Sequence, residues 1–170
     1  LTGTYQTLRT ATTARYQVPS LTSVRALRDY ANRNASLNGA QKVLNVVRYI
    51  TDGSASARET KQALVLGLPH RYGGAGLGIP HMNYKVETSR EARAITGKKY
   101  FRCDLCWPEA KLDVEYQSRA WHEGEEHRIS DSRRTHALTA MDWTVVAITG
   151  SELDSLTATD VIAQSLRKRL

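Results

Sequence analysis

The chain has 170 residues and a formal charge of +7, from 24 basic and 17 acidic side chains. A hydrophobic share of 41% is enough to build a core and excludes a wholly disordered chain. No apolar run approaches the ~18 residues of a membrane-spanning helix. Two cysteines are too few for a disulfide framework and suit a reduced, cytoplasmic protein, while the positive excess points to a polyanionic partner.

In chain order, the opening LTGTYQTLRTATTARYQ is polar and Thr-rich. It has no apolar signal-peptide core and no initiating Met, so it reads as an arm, a strand or the tail of a missing element. On that reading the chain is a piece of a longer soluble protein. From Ser23 onward, Val24, Leu27, Tyr30 and Ala31 recur at helical spacing until the Asn-rich NRNASLNG. A second helix carries Val43, Leu44, Val47 and Ile50 and stops at Asp52-Gly53. Residues 1–52 are therefore expected to be an N-terminal arm and helical segment, the tail of an upstream domain, with a second domain over 53–170.

The second domain opens on a helix at SASARET, where Ser56 and Glu59 fit the S-x-x-E capping box. That helix stops around Gly67 and Pro69. The glycines of RYGGAGLGIP do not match a dinucleotide fingerprint and follow a helix, so this stretch reads as a connector. HMNYKVE alternates as a first sheet strand. A hairpin follows, its strands joined by the tight WPEAK turn, then a helix near Ile129–Met141 and a buried strand over Trp143–Thr149. LDSLTATDVIAQSLRKRL closes the chain as a helix. The order helix, three strands, helix, strand is α/β, with a mixed sheet flanked by helices and extra N-terminal helices.

The hairpin concentrates the chemistry. Strand alternation turns Leu112, Val114 and Tyr116 to one side and Asp113, Glu115 and Gln117 to the other. On the first strand the same rule sets Arg102 and Asp104 against Phe101, Cys103 and Leu105. If the strands pair, Asp104 and Glu115 converge, and two close carboxylates call for a cation or a shared proton between them.

Three segments, GSASARETKQALVLGLP, RCDLCWPEAKLDVEYQS and DSRRTHALTAMDWTVVAIT, together resemble the PD-(D/E)XK nuclease superfamily, in particular its Vsr-like (very short patch repair) bacterial domains. The resemblance runs from Gly53 to Thr149. It implies a restriction-endonuclease-like core, αβββαβ, and a divalent-metal-dependent DNA endonuclease. Asp104 and Glu115 would hold Mg²⁺ or Mn²⁺, with Glu59 as a third ligand, and the metal would orient water and stabilise the leaving oxygen. Arg133 and Arg134, in the run that contains Asp131, would grip phosphates.

The chain departs from the family at Gln117, which stands where relatives carry Lys or Asp. An amide holds a water but removes no proton. His122 falls near a family histidine and is the candidate general base or acid. The same departure leaves room for a non-cleaving DNA-binding or toxin–antitoxin module. Related domains are often fused to helix-turn-helix regulators of the AbiEi antitoxin class, so DNA, a cognate toxin or such a fused domain are the implied partners. A rival reading is zinc, because Cys103-x2-Cys106 followed by His122-x4-His127 has C2H2 spacing. The strand LDVEYQ between the pairs, in place of a recognition helix, argues against it.

Overall fold

The computed structural model describes residues 3–7, 14–117 and 125–170, the side chains of 125–128 excepted. Contacts divide the chain into two compact units, Leu1–Met82 and Asn83–Leu170. The division falls at Met82, beyond the boundary expected after residue 52.

The first unit begins with a small antiparallel pair, β1 (Tyr5–Thr7) and β2 (Ala14–Tyr16). Helix α1 (Val24–Arg33) starts where Ser23 accepts the Ala26 N–H, as a short hydroxyl side chain at an N-cap should. Helix α2 (Ala40–Val47) buries Ala40 and Val47, while Val43 and Ile50 of the expected stripe stay partly exposed. Helix α3 (Ala57–Gly67) is capped by Ser56, which accepts from the Glu59 N–H at 3.1 Å. The glycine-rich connector is tied back onto α3. Ala75, Gly76 and Leu77 N–H groups donate to the carbonyls of Val65, Leu68 and Leu66. A Cβ on Gly67 would meet Gly78 O at 2.9 Å, so this approach requires glycine.

Among the described residues, one four-stranded sheet runs in the order β3 (His81–Glu87), β4 (Tyr100–Trp107), β5 (Leu112–Gln117) and β6 (Thr144–Thr149). β4 and β5 are antiparallel and β5 and β6 parallel, so the sheet is mixed. The parallel pair is connected by α5 (Glu125–Thr139), as a parallel crossover requires. Two short helices, α6 (Gly150–Leu153) and α4 (Arg90–Thr96), and the closing α7 (Leu156–Arg167) complete the fold. The sequence pattern leads directly from HMNYKVE to the hairpin. The structure inserts α4 there, capped by the Ser89 side chain and stopped by Gly97 at φ +69.

One core of the second unit gathers Val86, Ala92, Phe101, Cys103, Cys106, Ala137, Leu138 and Trp143. Cys103 and Cys106 stand in the same cluster although residues three apart on a regular strand face opposite sides. The reason is local. The paired register covers Leu105↔Val114, Cys106↔Asp113 and Trp107↔Leu112. The alternation of Phe101 and Cys103 is out of phase with it, so the strand slips by one residue between Cys103 and Cys106, as at a β-bulge.

Candidate functional site

β5 lies between two strands and is covered on both faces, so Leu112, Asp113 and Val114 are all fully buried. The register puts Asp113 beside Cys106 on β4 and beside Val145 on β6. Cys106 belongs to the core cluster and Val145 packs against it. An acid has thus been placed in an apolar layer. Because the bulge turns Cys103 to the same layer, the Cys103 Sγ, an Asp113 oxygen and a Glu115 oxygen lie within 4.8 Å of one another.

Arg134, on α5, closes this group. Its Nη2 donates to Glu115 Oε1 at 2.6 Å and to the Arg102 carbonyl at 2.7 Å, and it stands 3.5 Å from Asp113 Oδ2. The guanidinium also lies over the Phe101 ring, 5.7 Å from its centroid. The Arg134 and Glu115 side chains keep about a fifth of their surface in solvent, at 20% and 21%, against 0% for Asp113.

Electrostatics separate the two acids. Burial, and then the hydrogen bond with Glu115, push Asp113 up to about 11, so it is a neutral acid near neutrality. Neither of its oxygens receives a hydrogen bond from a protein donor, which an ionised buried carboxylate would need. Burial also works to raise Glu115, but Arg134 and the Asp113 hydroxyl outweigh it and hold the carboxylate below its usual range. A hydrogen bond with Cys106, and then burial, push the Cys103 thiol up. Burial works to lower Arg134, and the Glu115 contact more than offsets this, so its pKa is raised.

The expected site residues are distributed as follows. Asp104 Oδ2 accepts the Tyr116 N–H at 3.0 Å, just past the last paired position of the ladder. It does not belong to the trio, whose second acid is Asp113 instead. Gln117 is exposed at the end of β5. Glu59 belongs to the first unit, where its Oε2 accepts the Ala55 N–H at 3.0 Å at the start of α3. Arg133 and Asp131 are exposed on α5. His122 and the side chain of His127 lie outside the described residues.

Magnesium fits this donor set poorly. It prefers hard oxygen ligands and retains several waters, whereas the converging group contains a thiol and is closed to solvent at Cys103 and Asp113. Beside the trio lies a basic cleft of about 340 Å³, lined by Thr96, Lys98, Phe101, Ile129, Ser130, Arg133 and Arg134. Sequence reading found two of its cations. It missed Lys98, which follows the unrecognised helix α4.

No protein-family model matches the chain, and no solved structure is significantly similar to it. Two curated relatives are similar: Uncharacterized protein MT2308 and Uncharacterized protein Rv2248, from Mycobacterium tuberculosis strains CDC 1551 / Oshkosh and ATCC 25618 / H37Rv. Each is 29% identical over 97 residues, 57% of this chain. The matched part covers 31% of each relative, so the chain spans about a third of their length.

Proposed function

We propose that the second unit is a DNA-binding domain of endonuclease-like type that holds the phosphate backbone in its basic cleft without cleaving it. One observation carries this reading: three cations, Lys98, Arg133 and Arg134, rim a cleft beside an acid pair already neutralised from within. Phosphates are bound by such side chains with little other chemistry. Cleavage needs more, and Gln117 brings neither charge nor base. The strand order β3-β4-β5-β6 with its α5 crossover agrees with the resemblance to the nuclease superfamily. A cognate toxin or a fused helix-turn-helix segment is a further proposed partner, on that resemblance alone.

Fluorescence anisotropy with a labelled duplex, run beside a nicking assay on supercoiled plasmid with Mg²⁺ or Mn²⁺, tests it. The expected result is binding without nicking, weakened about tenfold or more when Lys98 and Arg133 are both replaced by Ala. Metal-dependent hydrolysis is the second reading, and one observation favours it. Asp104 and Glu115 stand on adjacent antiparallel strands, one step past the Leu105↔Val114 pair. Nicking that disappears in both Asp104→Ala and Glu115→Ala replaces the first reading with the second.

A further inference from the structure

We infer that Cys103, Asp113 and Glu115 form a binding site for a thiophilic divalent cation of the zinc class, with Arg134 as its built-in counter-charge. The three donor atoms lie within 4.8 Å of one another. Zinc bonds sulfur at about 2.3 Å and carboxylate oxygen at about 2.0–2.2 Å, so one ion bridges that span with small side-chain adjustments. A second observation is independent of this spacing. Asp113 is 0% exposed, and neither carboxylate oxygen receives a hydrogen bond. A buried carboxylate that receives no hydrogen bond is costly unless a proton or a cation answers it, and Arg134 approaches one of its oxygens, at 3.5 Å.

The charges close. As a thiolate and two carboxylates the trio carries three negative charges. Zinc brings two positive charges and Arg134, at 2.6 Å from Glu115, brings the third. In a desolvated site that neutrality is what makes charge tolerable. Zinc also sheds its waters in closed structural sites, which suits the burial that disfavours magnesium. The set owes nothing to the C2H2 spacing with His122 and His127, and it goes beyond the DNA-binding reading without depending on it.

The full chain, stripped with a chelator, is titrated with Zn²⁺ against a colorimetric zinc indicator and with Co²⁺ by absorbance. The expected result is one equivalent of zinc and a sulfur-to-cobalt charge-transfer band. Cys103→Ser should abolish the band, and Cys103→Ser and Asp113→Asn should each weaken zinc binding about 100-fold or more. Circular dichroism and thermal melts identify the folded variants. A double His122→Ala, His127→Ala variant should bind as the unsubstituted chain does. Failure of the unsubstituted chain to take up zinc overturns the proposal, as does uptake that survives both ligand substitutions or is lost with the two histidines. DNA binding measured on the same samples keeps the two proposals apart, since intact DNA binding without zinc uptake removes only this one.

Discussion

Arg134 meets Glu115, Asp113 and the Arg102 carbonyl through one nitrogen, Nη2. Removing it leaves Glu115 charged and largely enclosed, so Arg134→Ala should destabilise the second unit by about 3 kcal/mol in a denaturant melt. Arg134→Lys should recover about half of that, because the contacts call for a single cationic nitrogen rather than a fork. Equal losses in the two variants would mean that the planar group over Phe101 matters more than its charge. Asp113 makes the pH argument. In the fold it keeps its proton up to about pH 11, whereas the unfolded chain releases it in the ordinary carboxylate range. Between those limits the folded chain holds the extra proton. Its contribution is therefore whole below the ordinary range and falls as pH rises, by at most about 1.4 kcal/mol per unit. Glu115, held low, behaves in the opposite way: its contribution is present above the ordinary range and is lost as pH falls through its folded value. Asp113→Asn mimics the protonated acid at every pH. In chelator-treated protein it should be more stable than the parent by about 1 kcal/mol or more near pH 8, with no gain near pH 4. The same difference at both values would show that Asp113 is ionised in the fold.

At the scale of elements, what could be read from the sequence was whatever followed a regular period. The S-x-x-E signal at Ser56 and Glu59 predicted the start of α3, and the alternation in HMNYKVE and LDVEYQ matched β3 and β5. The acid cluster was not legible, for a physical reason. A bulge slips the phase of a strand, so counting by twos from Phe101 sets Cys103 and Cys106 apart although both end in one core. Counting by twos did place Asp113 with Glu115, but nothing in the pattern says that this side is buried by α5. Helix α4 escaped because seven residues are too few for a periodic stripe, and Lys98 of the cleft was missed with it. Glu59 shows how a capping residue and a ligand can share one sequence signal. Its Oε2 accepts the Ala55 N–H while Ser56 accepts the Glu59 N–H, so Ser56→Ala should cost about 1 kcal/mol. Glu59→Gln, which keeps an acceptor oxygen, should cost less than about 0.5 kcal/mol and leave metal uptake unchanged. Metal uptake lost in Glu59→Gln would make that carboxylate a ligand.

For the whole molecule, the formal charge of +7 lies in the first unit, which holds 10 basic and 3 acidic side chains against 14 and 14 in the second, and a diffuse positive surface binds DNA weakly wherever it lies. The cleft makes a narrower claim: two particular cations, Lys98 and Arg133, neutralise phosphates beside Arg134, whose charge Glu115 already answers. Salt dependence distinguishes these cases. Each phosphate neutralised contributes about −0.9 to the slope of log K against log salt on duplex DNA. Those two contacts give a slope of about −2, and replacing both Lys98 and Arg133 by Ala should bring it close to zero. Arg25 provides the control, its side chain being 92% exposed on α1 of the other unit, where it pairs with Asp29. Arg25→Ala should leave the slope unchanged. If Arg25→Ala flattens the slope as much per charge removed as the cleft variants do, binding follows net charge rather than geometry, and the cleft loses its claim to be the interface.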